Sequence, residues 1–137
     1  MAGPESTTPI PVRIVVHQVS RVIELEYADG RSFRLPFEFL RVHSPSAEVR
    51  GHGPGQEVLQ IGKAEVGIVS VEPVGQYAIQ PRFTDGHATG IYSWDYLYRL
   101  GQNQEEMWSA YLKRLEDAGA SRHAEAPIAA KPVSRPR

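Results

Sequence analysis

Residues 21–28, RVIELEYA, alternate strictly, with Ile23, Leu25 and Tyr27 on one side and Val22, Glu24 and Glu26 on the other. A two-residue period is that of a half-buried strand. The β-branched run VRIVVHQ (12–18) before it and RSFRL (31–35) after it extend the pattern to three strands. Asp29-Gly30 joins the last two, and a type I′ turn there would place both residues at positive φ. PFEFLRV (36–42) follows, where Pro36 suits a first helical position and one short helical turn is expected. Beyond the Gly-rich GHGPG (51–55) come three further strand candidates, EVLQI (57–61), VGIVSVEPV (66–74) and YAIQPRF (77–83). The last two are joined around PVGQ (73–76), a turn signal.

The period then changes to that of a helix. Ser93 is placed to cap WDYLYRL (94–100), which should stop at Gly101. Asn103 is placed to cap QEEMWSAYLKRLEDA (104–118), with Glu106 where a capping-box acid belongs. On that second helix Met107, Trp108, Tyr111, Leu112 and Leu115 share one face, which reads as core packing against the sheet. Trp94, Leu97, Trp108, Tyr111 and Leu115 are therefore expected to be largely buried. Strands first and helices last, without βαβ alternation, predict an α+β fold. It should hold a mainly antiparallel β-sheet, one short helical turn mid-chain and two helices at the C-terminal end of the domain.

The 137 residues amount to one domain. MAGPESTTPIP (1–11) is rich in Pro, Ser and Thr, and AGASRHAEAPIAAKPVSRPR (118–137) is rich in Ala, Pro and basic residues without a period. On composition both ends are expected to be disordered, leaving a single ordered domain over 12–117. The net charge of −1 gives no electrostatic reason to expect nucleic acid or an anionic membrane as partner. The charge is uneven, however. Arg122, Lys131, Arg135 and Arg137 against Glu125 make the tail basic, so 1–117 holds 11 basic and 15 acidic residues, a net of −4. The absence of cysteine removes disulfides, thiol catalysis and thiolate metal sites together. No apolar run approaches a membrane span and no signal pattern opens the chain, so a cytoplasmic protein is expected.

The chemistry-bearing motifs are few. No P-loop, G-x-G-x-x-G or G-x-S-x-G is present. Ser44 and Ser46 lie beside His43 in HSPSAEVRGH (43–52), but a nucleophile needs a positioned base and an oxyanion site, which adjacency does not supply. Asp85, two residues before His87, reads as an Asx-turn residue preceding Gly86. The aromatics of IYSWDYLY (91–98) lack the interleaved Lys or Arg of a base-stacking platform and are assigned to the core.

LRVHSPSAEVRGHGPGQ, VEPVGQYAIQPRF and DGHATGIYSWDYLYRLG resemble the DUF971 family, also called the γ-butyrobetaine-hydroxylase-like N-terminal domain, over roughly residues 12–101. In eukaryotic relatives the module precedes an Fe(II)/2-oxoglutarate hydroxylase domain. It also occurs attached to P-loop iron–sulfur cluster carriers and alone in short bacterial proteins, the kind this chain looks like. In the hydroxylase relatives a C-x-C-x-x-C run and one distant histidine bind zinc. The matching positions here are Ser44, Ser46, Val49 and His87. A hydroxyl that stays protonated near neutrality is a poor zinc ligand and an isopropyl group is none, so no metal and no cofactor is expected. A replacement site of His43, Glu48, His52 and His87 is the alternative, since imidazole and carboxylate both suit zinc.

Two functions follow. The first is a non-enzymatic binding or adaptor domain with a degenerate zinc site, assisting iron–sulfur or metal-cofactor protein assembly. Its partner would be an iron–sulfur assembly protein or a 2-oxoglutarate-oxygenase-like protein, with self-association left open. The second is a small-molecule-binding or enzymatic protein using His43, Glu48, His52 and His87 with Arg41 and Asp85. A pocket lined by those residues would favour the second.

Overall fold

The computed structural model describes residues 8–51 and 56–124. Strands β1 (Arg13–His17), β2 (Val22–Glu26) and β3 (Ser32–Pro36) form an antiparallel meander in the order β1-β2-β3. Register pairs Val16 with Ile23 and Ile23 with Leu35. Ile23, Leu25 and Leu35 are thereby fully buried on one face, as the alternation of β2 requires. Between β2 and β3 only Gly30 has positive φ, at 89°; Asp29 does not. The Gly30 N–H donates to the Tyr27 carbonyl and the Tyr27 N–H to that of Arg31. This is a three-residue loop with glycine in the left-handed position, not the expected two-residue turn. The glycine signal was right and the turn type was wrong.

The second sheet, β4 (Ile68–Val74), β5 (Ala78–Phe83) and β6 (Tyr92–Ser93), is also antiparallel, in the order β4-β5-β6. Pro81 is tolerated in its central strand because β6 pairs only with Ala78 and Ile79, before Pro81 is reached. The expected strand at 57–61 does not form. Val58 and Ile61 are half exposed there, and the segment is pinned at separate points instead. Its Val58 N–H donates to the Val49 carbonyl, and its Gln60 carbonyl accepts from the Tyr111 hydroxyl at 2.6 Å.

Among the described residues, four helices complete the α+β fold. α1 (Phe37–Val42) is the expected mid-chain helical turn and is buried throughout. Pro36, at φ −60° and ψ 148°, is its N-cap and the last residue of β3, not its first helical residue. α2 (Ala47–Arg50) is a helical turn within HSPSAEVRGH (43–52), where no helix is expected from the sequence. Ser93 caps α3 (Trp94–Gln102) as expected, accepting from the Tyr96 N–H at 3.1 Å. The helix does not stop at Gly101. A Cβ there would lie 2.3 Å from the Phe33 ring, so glycine lets α3 press against β3. Asn103 makes no side-chain cap for α4 (Gln104–Ala118); its amide turns back to the Arg99 carbonyl of α3 at 2.8 Å.

One core joins both sheets with α1 and α3, and a smaller cluster of Val42, Tyr111 and Leu115 continues it under α4. Leu97, Tyr111 and Leu115 are buried as expected, whereas Trp94 and Trp108 are only half buried and Leu112 is exposed. α4 therefore lies on the domain by a narrower face than its pattern suggested.

The chain keeps packing past the expected end of the domain at Asp117. Gly119 turns it in the left-handed conformation, at φ 66°. The Ser121 and Arg122 carbonyls then accept from the Gly62 and Ala64 N–H groups, each at 2.9 Å. Arg122 grips Glu38 of α1 with two bonds of 2.9 and 2.7 Å, and its guanidinium lies 5.4 Å from the Trp108 ring centroid. Composition reads Arg122 as solvated, but a buried carboxylate 84 residues away in sequence claims it. Residues 1–7 and 125–137 of the two expected disordered ends lie outside the described residues.

Candidate functional site

α1 ends at Val42, and the chain crosses HSPS to reach α2, where the Ser46 hydroxyl accepts from the Glu48 N–H at 3.1 Å and starts the helix. That cap turns Glu48 toward the loop after β5, which carries His87. The result is a chain of three side chains. Ser44 Oγ lies 2.8 Å from His87 Nε2, and His87 Nδ1 lies 3.0 Å from Glu48 Oε1. Burial first, then the nearby Arg41 charge, lowers the His87 pKa against the pull of Glu48, so the ring is neutral near pH 7. A carboxylate only accepts, which places the ring proton on Nδ1 facing Glu48. Nε2 is then the acceptor, and Ser44 donates to it. Ser44 Oγ in turn accepts from the Ser46 N–H at 3.3 Å, and the Ser46 hydroxyl bonds that of Thr89 at 2.7 Å.

The chemistry is that of a serine–histidine–acid triad with its burial reversed. A nucleophilic serine must face substrate, while the acid that orients the base is sheltered. Here Ser44 is 1% exposed, and a Cβ on Gly90 would meet its Oγ at 2.3 Å. The Glu48 side chain is 66% exposed. The relay ties the loop between α1 and α2 to the loop after β5.

Asp85 braces the far side of this loop. Its carboxylate accepts from the His87 N–H at 3.2 Å, the Asx turn expected from the sequence, and from Arg41 Nε at 2.9 Å and Lys63 Nζ at 2.8 Å. Burial alone would raise the Asp85 pKa, but Lys63, the His87 N–H and Arg41 outweigh it and hold the group at about 2. Arg41, Glu48, Asp85, His87, Ser44 and Ser46 thus come together. His43 does not join them: its Nδ1 donates to the Phe39 carbonyl at 2.9 Å and its ring stacks near Phe39 and Tyr111. His52 lies outside the described residues.

A groove of about 630 Å³ opens on the His43 side, between the end of α1, α2, the 57–60 segment and α4. Val42, Val49 and Leu59 supply its apolar surface, and Arg50, Glu57 and Arg114 bring its charges. Its Tyr96 and Tyr111 hydroxyls donate to the backbone carbonyls of His43 and Gln60, so they serve the walls.

The model of the family "Gamma-butyrobetaine hydroxylase-like, N-terminal" matches residues 14–98. The chain belongs to this family. It is 45% identical to a family member of unknown function from Acidithiobacillus ferrooxidans, whose crystal structure matches over 66% of this chain and 91% of that one at a TM-score of 0.56. Two proteins with NMR solution structures are also similar. One is 51% identical over 84% of this chain and 90% of its own, at a TM-score of 0.73. The other is 46% identical over 89% and 91%, at 0.74. No curated protein matches the chain.

The zinc that the resemblance implied can be tested on the donors of this γ-butyrobetaine-hydroxylase-like domain. The matching side chains are two hydroxyls, an isopropyl group and a single imidazole whose two nitrogens are already bonded, and they do not fit the ion. Among the described residues, no three of His, Asp and Glu group as metal ligands. The sequence reading missed the Ser44–His87 pairing because 43 residues separate the partners. It also missed α2, although Ser46 two residues before Glu48 was a capping signal.

Proposed function

We propose that this domain is a non-enzymatic binding module, acting in the cytoplasm beside iron–sulfur, other metal-cofactor or 2-oxoglutarate-oxygenase-like proteins. The observation that carries the reading is the burial order of the relay. The described serine, histidine and acid in triad arrangement hide the nucleophile and expose the acid. Such a relay contributes rigidity to the loop between α1 and α2, which forms one wall of the groove. The family name, with the fusions that the resemblance implies, supports the setting among metal-cofactor proteins. A fluorophosphonate probe, which phosphonylates activated serines, should leave Ser44 unlabelled in the folded protein. Stoichiometric labelling at Ser44 that His87→Ala abolishes would overturn the reading.

The groove favours a small molecule as the bound partner. Its volume lies within the range of roughly 300–1,000 Å³ common for ligand sites, and among the described residues of the His/Glu cluster its lining includes His43.

A further inference from the structure

The groove holds two arginines from elements far apart in sequence, Arg50 closing α2 and Arg114 in the middle of α4. Against them stands Glu57. The lining is therefore net positive in a chain whose overall charge is −1. The same groove carries apolar surface from Val42, Val49 and Leu59, the first two buried. We propose that this groove binds a small organic carboxylate with an apolar body, an inference that rests on the reading of the domain as a binding module.

Each part of such a ligand meets a matching group. The apolar body covers the aliphatic floor, where displacing water is favourable. The carboxylate meets guanidinium, whose planar fork accommodates it with two parallel bonds. Arg114 lines the groove from α4, and its charge reaches two other lining residues, His43 and Tyr111. Burial chiefly depresses the His43 pKa, and the Arg114 charge depresses it further. The same charge opposes the rise that burial imposes on Tyr111, held at about 12. Arg50 is set by stacking, its guanidinium 5.4 Å from the Tyr96 ring centroid. His43 adds direction. With Nδ1 donating to Phe39, its neutral ring presents Nε2 as an acceptor. A hydroxyl or N–H on the ligand is the complement to that atom, and a second carboxylate is not.

The test is an NMR titration of the full chain with hexanoate, using hexylamine and 1-hexanol as length-matched controls. Hexanoate should move the amide signals of Val49, Gly51, Leu59 and Tyr111, and the two controls should bind more weakly. Arg114→Glu, on an exposed helix position, should weaken hexanoate by roughly tenfold or more, and Arg114→Lys by less. The melting temperature of each variant, kept near that of the parent, shows that the fold is intact. Hexylamine binding as tightly as hexanoate would overturn the proposal. So would hexanoate shifts away from the groove, unchanged affinity in Arg114→Glu, or no shifts at millimolar hexanoate. Those failures leave Ser44 unlabelled by the fluorophosphonate, so the non-enzymatic reading would stand. Labelling of Ser44 would sink that reading whatever the titration shows.

Discussion

Ser44 Oγ donates to His87 Nε2 across 2.8 Å, joining the loop after α1 to the loop after β5 at a point closed to water. In this family the two residues stand at positions where the resemblance implies a thiolate and an imidazole sharing a metal. A direct hydrogen bond joins the two side chains here, and its energetics are those of a buried polar contact. The bond itself contributes modestly, but an unmatched partner is costly. Ser44→Ala should therefore destabilise the domain by about 1–3 kcal/mol, because it strands His87 Nε2 without a donor. Urea unfolding of Ser44→Ala, His87→Ala and the double variant measures the coupling. If the two losses simply add, the pair is not interacting.

Acid should unfold the domain in two stages. His87 and His43 are both held below the ordinary imidazole value of 6.5, chiefly by burial, so the unfolded chain binds more protons than the folded one. Stability is then fully present above about pH 6.5 and falls as the pH drops from there toward their folded values. Asp85 comes later. Its pKa falls from 3.8 to about 2 on folding; because solvent screens this partly exposed carboxylate, it contributes on the order of 1 kcal/mol, lost as the pH falls across that interval. Unfolding free energies measured from pH 8 downward should show both declines. Asp85→Asn should remove the lower one and leave the upper.

Gly101→Ala gives a test by sign. In an exposed helix, alanine for glycine stabilises by about 1 kcal/mol. At position 101 the new methyl would meet the Phe33 ring at 2.3 Å, so the substitution should instead cost about 1–3 kcal/mol. Phe33→Ala in the same chain should restore part of the helix benefit. A higher melting temperature for Gly101→Ala alone would show that α3 does not press on β3 as described.

Arg122 offers a third measure of what composition misses. The Glu38 side chain is 9% exposed and receives both guanidinium bonds. Arg122→Ala leaves that carboxylate buried without its partner, at a cost of about 3–5 kcal/mol. Glu38→Gln in the same background should recover much of the loss, because it removes the charge that needed a partner. Equal melting temperatures for Arg122→Ala and the parent would show that residues past Gly119 are not held against the domain.

What the sequence disclosed and what it hid divide along a physical line. Period-two alternation in β2 and the Ser93 cap are local signals, and both read correctly, as did the Asx turn at Asp85. The segment 57–61 looked like a strand because its residues are strand formers, yet it pairs with neither sheet and is held by single bonds to Val49 and Tyr111. Gly101 looked like a helix stop because a close contact with Phe33 leaves no local trace. The relay was half legible: Ser44, Glu48 and His87 could each be singled out by type. Only the fold reveals that Glu48 and His87 meet while His43 turns away to Phe39. Long-range partners, not propensities, decided the misses at Gly101 and in the relay.

Two serines and a valine at positions where the resemblance implies zinc ligands lead to the last prediction. Ser44 and His87 are already within hydrogen-bond reach, and the Ser46 N–H reaches Ser44, so the loop holds three of the four positions that the resemblance implies as ligands close together. Val49 is buried one turn along α2, where an apolar side chain packs and a cation gains nothing. Ser44→Cys, Ser46→Cys and Val49→Cys together place three ionisable thiols around His87, the donor set of a structural zinc site. The triple variant should bind one equivalent of zinc tetrahedrally, with a melting temperature that falls when a chelator removes it. The cobalt-substituted form should show the visible bands of tetrahedral thiolate coordination. The parent protein should melt at the same temperature with and without chelator. One tightly held equivalent of metal in the parent, lost on mutating His43, His52 or His87, would overturn this account. A triple variant that folds but takes up no zinc would show that the path of the loop has moved with its chemistry.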